Sequence, residues 1–574
     1  MWPFEVAVWG EMDPSSQKPS IWRIALPVGL AIAGAGGAYT FVKSRPAQKP
    51  APASEISVSK AAADAGISTA SISGRNVLLI ILDDVGAQEI RSYANDLATA
   101  TRTVSSSTGI IDSNTNYTPD GLEDRNADTY ADGAIATPTI DKLATAGVRF
   151  TQVWANPLCS PTRAGIYTGL YASHHGVGAP IGTSTMVTTL PSDILTLPEQ
   201  LDAAGSKYAT GLFGKWHLGA TAGMYPTDRG WDYFSGNPDG EVADYSAWTK
   251  VVVDNAAGTS STTASTTYVT SDTIESTLTW IGKRTTPWWA TVALNAAHTQ
   301  SSGSSYTDPP STCLSGTITG STDTAKYHKI IECADYYIGN MLSRISSETL
   351  ANTTIIILGD NGSEGGITEV SSTNRSKGSA YQGGVHVPLI IADGTAYSGA
   401  SGTALSRLST GHVASAGRTV AYPVNTVDLF ATMAAIMHVT PSSTDSVSLV
   451  DYLNSSSTAA LRSYSVTETF AYASALAVSR LPSGFVSADV AALTKGSVKA
   501  TVRGAQYKLV YSSSAGTYEF YDLSVDPFEQ NNIWCPVTGT SVAVAIAMRA
   551  LVAQLQAVDS TYPSYVSVRA SCKY

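Results

Sequence analysis

Asn76–Leu82 reads NVLLIIL and runs directly into Asp83-Asp84. An apolar run without polar alternation predicts a strand buried on both faces, as in the middle of a parallel sheet, and it leaves the two aspartates at the strand's carboxyl end. Thr353–Leu358 (TTIIIL) has the same construction and ends in Gly359-Asp360-Asn361-Gly362. Tyr208–Phe213 leads into GKWHLG and Trp289–Leu294 into NAAH. In open α/β sheets ligands bind outside the carboxyl ends of the strands. These strands therefore aim Asp, Asn, Lys and His at one rim.

Helical patterns lie between them, at Thr139–Ala146 behind Thr137-Pro138, at Leu197–Ala204 and at Lys326–Ser346. Alternating strands and helices predict an α/β fold, with a large mixed, mostly parallel sheet sandwiched by helices over residues 75–450. After about Val450 the character changes. Val498–Tyr511 and Thr517–Leu523 read as strands of a smaller antiparallel sheet, with Ser541–Val558 as a helix against it, so residues 451–574 form a C-terminal α+β subdomain. Ala94–Ala134 is rich in Ser, Thr, Asp and Asn and reads as a long surface insertion of the kind that makes lids and binding loops.

Ahead of the folded body, residues 1–23 form a polar tail, and 24–42 (IALPVGLAIAGAGGAYTFV) are uncharged and long enough to cross a bilayer. Residues 43–74 are a Pro/Ala/Ser-rich linker. The expectation is a membrane-anchored protein whose catalytic part is periplasmic, lumenal or extracellular, with secretion after signal cleavage as the alternative. The formal net charge of −11 argues against nucleic acid as a partner, since a phosphate backbone is held by an excess of Lys and Arg. Of five cysteines, Cys159 is the odd one. Cys313, Cys333, Cys535 and Cys572 can make two disulfides, sequence neighbours being the expected pairs among three open connectivities. Such pairing fits an oxidising compartment.

Cys159-Ser160-Pro161-Thr162-Arg163 places a thiol one step before a helix start, with Ser160 expected as N-cap and Pro161 at the first helical position. Arg163 then lies beside the thiol at the positive helix end, which makes a pocket for an oxyanion. Asp83, Asp84, Asp360 and Asn361 are hard oxygen donors suited to Ca²⁺ or Mg²⁺ rather than Zn²⁺. Lys215 and His217, two residues apart, share a face if the segment is extended. His298 follows an apolar strand and Lys377 lies in a loop; taken alone, the first reads as a satisfied core histidine and the second as a solvated loop lysine.

These blocks together resemble the type I, formylglycine-dependent sulfatases of the alkaline phosphatase superfamily. The Asp-Asp after the first strand, TPTIDKLATAGVRF before CSPTR, GKWHLG with DRGWDYFSG, the strand-end histidine, GDNG and KGSAYQGGVHVP occur in family order. ADYYIGNML, YPVNTVDLFATM and YKLVY with YEFYDLSVDPFEQNNI carry the resemblance into the smaller region. It implies an alkaline-phosphatase-like fold and an arylsulfatase-like sulfuric ester hydrolase. Cys159 would be converted to formylglycine by a maturation enzyme, and a divalent metal, usually Ca²⁺, would be held by Asp83, Asp84, Asp360, Asn361 and the converted Cys159. Arg163 and Lys215 would stabilise the nucleophile and the sulfate, His217 would act as base, and His298 with Lys377 would contact sulfate and protonate the leaving alcohol. The substrate would be a small-molecule or carbohydrate sulfate ester. A phosphonate or phosphate ester hydrolase on the same scaffold, or a catalytically silent tethered relative, is the alternative. Gln382 and His386 depart from the Glu and Arg common among close relatives.

Overall fold

We describe the protein from a computed structural model, over residues 75–93, 135–182, 189–301, 306–367, 375–397, 417–440, 442–455, 458–472, 495–504, 507–513, 516–526, 529–535, 541–565 and 567. The expected membrane-crossing segment, the linker and the 94–134 insertion lie outside these residues.

Ten strands form one sheet in the order Arg418–Val420, Val148–Phe150, Leu389–Asp393, Thr353–Gly359, Asn76–Leu82, Trp288–Ala293, Ala209–Lys215, Tyr233–Asn237, Trp248–Asp254 and Thr259–Ser265. From Thr353–Gly359 to Tyr233–Asn237 every neighbouring pair is parallel. Leu389–Asp393 and the last two strands run antiparallel to their neighbours, so the sheet is mixed and mostly parallel, as expected. Asn76–Leu82 lies in its middle and is buried throughout. Successive side chains of a strand point to opposite faces. Val77, Leu79 and Ile81 accordingly enter one core with Ile356 and Leu358, while Leu78, Ile80 and Leu82 enter the other with Ile355 and Ile357.

A strand that is apolar on both faces carries no alternation to fix its register, so its polar ends must do so. At the amino end, Arg75 donates to the Thr353 carbonyl at 2.9 Å and pairs with Asp393 at 2.8 Å. The Trp288 N–H donates to Asn76 Oδ1 at 3.1 Å. At the carboxyl end, the Asp360 N–H donates to the Leu82 carbonyl and the Asp84 N–H to Asp360 Oδ1, both at 3.1 Å. The aspartates are thus placed by the same bonds that set the strand.

The predicted helices are present at Pro138–Ala146, Leu197–Ala203 and Asp323–Arg344. Cys313 and Cys333 form a disulfide, as expected for sequence neighbours. Cys535 is also disulfide-bonded, and Cys572, its expected partner, lies outside the described residues.

In the C-terminal part an antiparallel sheet runs in the order Ser465–Tyr472, Lys495–Arg503, Tyr507–Ser512, Thr517–Asp522, with the helix Val542–Val558 begun by Ser541, whose side chain accepts from the Val544 N–H. The apolar-rich run at 498–511 is two strands that turn at Gly504, whose N–H donates to the Tyr507 carbonyl at 2.9 Å. Ser465–Tyr472 went unread because its pattern is interrupted by Glu468, which is buried and accepts from Tyr562 Oη at 2.6 Å and from the Ser173 N–H at 2.9 Å.

Near this sheet, His174 Nδ1 meets Asp445 Oδ2 at 2.6 Å and its Nε2 meets the Val558 carbonyl at 2.9 Å. The hydrogen bond to Asp445, outweighing partial burial, raises the imidazole to about 9. A pKa raised by folding stabilises fully below the unfolded value of about 6.5, and the contribution is lost as pH climbs through the folded value. Thermal melts should therefore show the difference in Tm between the parent and His174→Gln shrinking from pH 6 to pH 9.5. A constant difference over that range would show that the pair does not titrate with folding.

Candidate active site

The sheet delivers its polar residues to one place. Leu82 is paired with Gly359, so Asp83 and Asp84 emerge beside Asp360 and Asn361; Gly214 is paired with Ala293, so Lys215 emerges near the segment that ends in His298. Gly214 is required there, because its φ is +92° and a Cβ would lie 2.0 Å from the Ala293 carbonyl oxygen. Asp84 (φ +57°) and His217 (φ +61°) hold left-handed backbone at the same rim, and such strain concentrates where surrounding contacts over-determine the geometry.

Cys159 opens the helix Cys159–Thr168, two positions earlier than expected, with Leu158 as N-cap. Ser160 is not the cap. Its hydroxyl donates to the His217 carbonyl and accepts from the Ile181 N–H, both at 2.9 Å, and Thr162 Oγ1 instead ties the turn by accepting from the Asn156 N–H at 3.0 Å. The hydroxyl has better-placed partners across the fold than along its own helix. The helix ends at Gly169, which takes φ +70°.

Carboxylates and cations interlock around the thiol. Lys215 Nζ lies 2.6 Å from Asp83 Oδ2, and Lys377 Nζ lies 2.6 Å from Asp84 Oδ2 and 3.1 Å from His298 Nε2. Arg163 donates from Nε and Nη2 to Asp360 Oδ2 at 3.0 and 2.8 Å, and from Nη1 to the Lys215 carbonyl at 2.8 Å. Its donors face Asp360 and the main chain, so in this arrangement it orients a carboxylate. Asn361 Nδ2 donates to Asp84 Oδ1 at 2.7 Å, and the Cys159 thiol points at the same oxygen from 4.0 Å. Lys215 and His217 both reach the site, though not by sharing a strand face: the strand ends at Lys215, and the left-handed turn at His217 swings its ring into the cavity beside Cys159.

Burial and neighbouring charge set the protonation states. Burial pushes Asp84 up, but Lys377, His298 and Lys215 outweigh it and hold the carboxyl below its ordinary range. Burial and then Asp83 raise Asp360 to about 6 against the pull of Arg163. Burial, reinforced by Lys215 and Arg163, keeps His217 well below an ordinary histidine. Burial and Lys215 lower His298 to about 4, with Asp84 opposing. A neutral His298 that donates from Nδ1 to the Thr299 carbonyl at 2.8 Å leaves Nε2 to accept from Lys377. Burial pushes the Cys159 thiol to about 12 despite Lys215 and Lys377.

The buried oxygen donors Asp83, Asp84, Asp360 and Asn361 fit a hard divalent cation. Asp83, Asp84, Cys159 and His298 each offer a ligand atom, all within 4.8 Å of one another. Asp83 Oδ1 and Asn361 Oδ1 are buried without a hydrogen-bond partner, an arrangement that is costly unless a cation takes up their lone pairs. The ion pairs of Asp83, Asp84 and Asp360 with Arg163, Lys215 and Lys377 roughly cancel in charge. A bound divalent ion would turn the cradle net positive.

Supporting residues were not legible beforehand. Tyr327 Oη donates to the Asp84 carbonyl at 2.8 Å, and the buried Glu89 accepts from Ser363 Oγ at 3.1 Å, which itself accepts from the Gly86 N–H at 3.0 Å. Nothing in the sequence around Glu89 separates it from a surface glutamate. Ser363 completes a glycosylation pattern with Asn361, but both are fully buried, so the pattern marks the site and not a sugar. Gln382 and His386 support loops: the Gln382 N–H donates to Glu529 Oε2 at 2.8 Å, and His386 Nε2 meets the Thr151 carbonyl at 2.9 Å.

A family profile described as sulfatase matches residues 75–439. Over 109 residues the chain is 41% identical to arylsulfatase J of Mus musculus, a stretch covering 19% of this chain and 18% of that protein. The match thus spans about a fifth of the curated relative. The fold superposes on the PsFucS1 sulfatase from Pseudoalteromonas sp. with a TM-score of 0.57 at 18% identity, covering 88% of this chain and 94% of the other. It also superposes on the phosphonate monoester hydrolase of Agrobacterium radiobacter with a TM-score of 0.53 at 19% identity, covering 85% and 95%. At these identities the two structures speak for the fold alone.

Proposed function

This chain belongs to the sulfatase family, and on that footing we propose that it is a sulfuric ester hydrolase that cleaves sulfate monoesters through a formylglycine made from Cys159, with a divalent cation, Ca²⁺ by its donor set, held at Asp83, Asp84, Asp360 and Asn361. The observation that carries this reading is the placement of Cys159. It opens a helix 4.0 Å from Asp84 Oδ1, inside a cradle of buried carboxylates and cations, yet its thiol is pushed to about 12. Left as a thiol and without a cation beside it, such a residue is almost entirely protonated at neutral pH and is a poor nucleophile. Conversion to the aldehyde supplies a hydrated carbonyl whose hydroxyl can attack sulfur and whose second hydroxyl allows release without a further attack there.

The chain's own residues do the rest. The cation would bring the cradle to net positive charge, and Lys215 and Lys377 stand where the oxygens of a sulfate group need neutralising. His217, neutral and with Nδ1 unpartnered, is a base facing the cavity beside Cys159. Lys377 and His298, 3.1 Å apart, form a proton-bearing pair to which we assign protonation of the leaving alcohol. Lys377 carries the proton, since Asp84 holds it well above an ordinary lysine against the effect of burial.

The leaving-group assignment has a direct consequence. A nitrophenolate departs without a proton, whereas a simple alkoxide does not. Lys377→Ala should therefore lower kcat/KM for an alkyl sulfate by about 10²-fold more than for 4-nitrophenyl sulfate. An equal loss on both esters would move Lys377 to a purely binding role. Assayed in parallel, a phosphonate monoester turned over with a higher kcat/KM than any sulfate ester would replace the sulfatase reading by its phosphonate alternative.

A further inference from the structure

The cavity that opens onto Cys159 has a volume of about 550 Å³, and its mouth is asymmetric in charge. Lys377, Asp239 and Glu241 all line it, Lys377 half-buried and the two carboxylates exposed; Pro180, Ile181 and Gly182 contribute uncharged surface. The acidic wall is fixed in place. Asn237, at a strand end, donates from Nδ2 to the Glu241 carbonyl at 2.8 Å and accepts from the Asp239 N–H at Oδ1 at 3.1 Å, so one amide staples both arms of the loop. The loop is also seated on the catalytic rim. The His217 N–H donates to the Pro238 carbonyl at 3.1 Å, and a Cβ at Gly240 would lie 2.5 Å from His217 Nε2.

We propose that the 237–241 loop selects the substrate: it admits sulfate monoesters whose remaining part is uncharged and bears hydroxyl groups, and it discriminates against esters that carry a second anion within reach of Asp239 and Glu241. This rests on the sulfatase reading above. Carboxylates accept hydrogen bonds from hydroxyls, whereas a second sulfate or a carboxylate would face two like charges in a partly desolvated cleft. The sulfate to be cleaved escapes that repulsion because the cations lie deeper. The Asn237 hydrogen bonds tie the main chain of the loop at Asp239 and Glu241, which keeps both carboxylates beside the cavity.

The test compares aryl sulfates bearing a meta hydroxymethyl or a meta carboxylate group, whose leaving groups are alike, on the matured full-length protein. We expect the hydroxymethyl ester to be favoured by about tenfold or more in kcat/KM. The ratio should fall toward one in Asp239→Asn/Glu241→Gln. It should also shrink in the matured protein without substitutions as ionic strength rises, a readout that does not depend on the variant folding. Equal kcat/KM for the two esters at low salt, or a preference indifferent to both salt and substitution, would overturn the proposal while leaving a sulfatase. Failure of every sulfate ester to turn over would overturn the sulfatase reading and this inference with it.

Discussion

Cys159→Ala should abolish sulfate-ester turnover, with kcat falling by at least about 10⁴-fold, while Tm stays within a few degrees of the parent's. The two halves of that expectation come from different features. The side chain is small and 2% exposed, and its sulfur lies 4.0 Å from Asp84 Oδ1, so its removal breaks no strong contact there. Its surroundings remain paired without it: Lys215 with Asp83, Lys377 with Asp84, Arg163 with Asp360. What disappears is the free cysteine of the described residues, the group assigned above as the source of the nucleophile. Steady-state rates with a chromogenic sulfate, read beside a thermal melt, separate the two effects. A variant that keeps a tenth or more of the parent's turnover would place the nucleophile elsewhere.

Chelation is expected to have the second-largest effect. Dialysis against EDTA should lower turnover by about 10³-fold and lower Tm, and Ca²⁺ should restore both. Without a cation, three buried carboxylates share one centre, and Asp360 shows the strain by rising to about 6. Asp83 Oδ1 and Asn361 Oδ1 are then left without hydrogen-bond partners. An ion present at a hundred times its dissociation constant adds about 2.7 kcal/mol to stability, so the melt reads occupancy independently of catalysis. Full turnover by protein shown to be metal-free would remove the cation from the account. Restoration by Zn²⁺ but not by Ca²⁺ or Mg²⁺ would contradict the oxygen-donor assignment.

Much of the site was legible because it sits where buried strands end. NVLLIIL and TTIIIL announce central strands by composition alone, and whatever polar residues follow such strands must lie on the binding rim; Asp83, Asp84, Asp360 and Asn361 follow from that rule. What stayed hidden depends on contacts between distant segments. Ser160 reads as a cap from its neighbours, but its hydroxyl is taken by His217 and Ile181. Arg163 reads as a free guanidinium beside a thiol, yet its donors are directed to a carboxylate almost 200 residues away and to the Lys215 carbonyl. Ser465–Tyr472 was missed because a buried glutamate interrupts its apolar pattern, and that glutamate is satisfied by Ser173 and Tyr562 from other segments. The Asn-Pro-Asp-Gly turn at 237–240 does carry a local signal, since its residues are turn formers. That it lies over His217 could come only from the fold.

The account stands on the chemical state of residue 159. Peptide mass spectrometry of natively matured protein, digested after alkylation and matched to a measured turnover rate, tests it most directly. The predicted result is that the peptide containing residue 159 carries the aldehyde or its hydrate, in a fraction that tracks specific activity across preparations. Fully active protein whose residue 159 is recovered as an alkylated cysteine would contradict it.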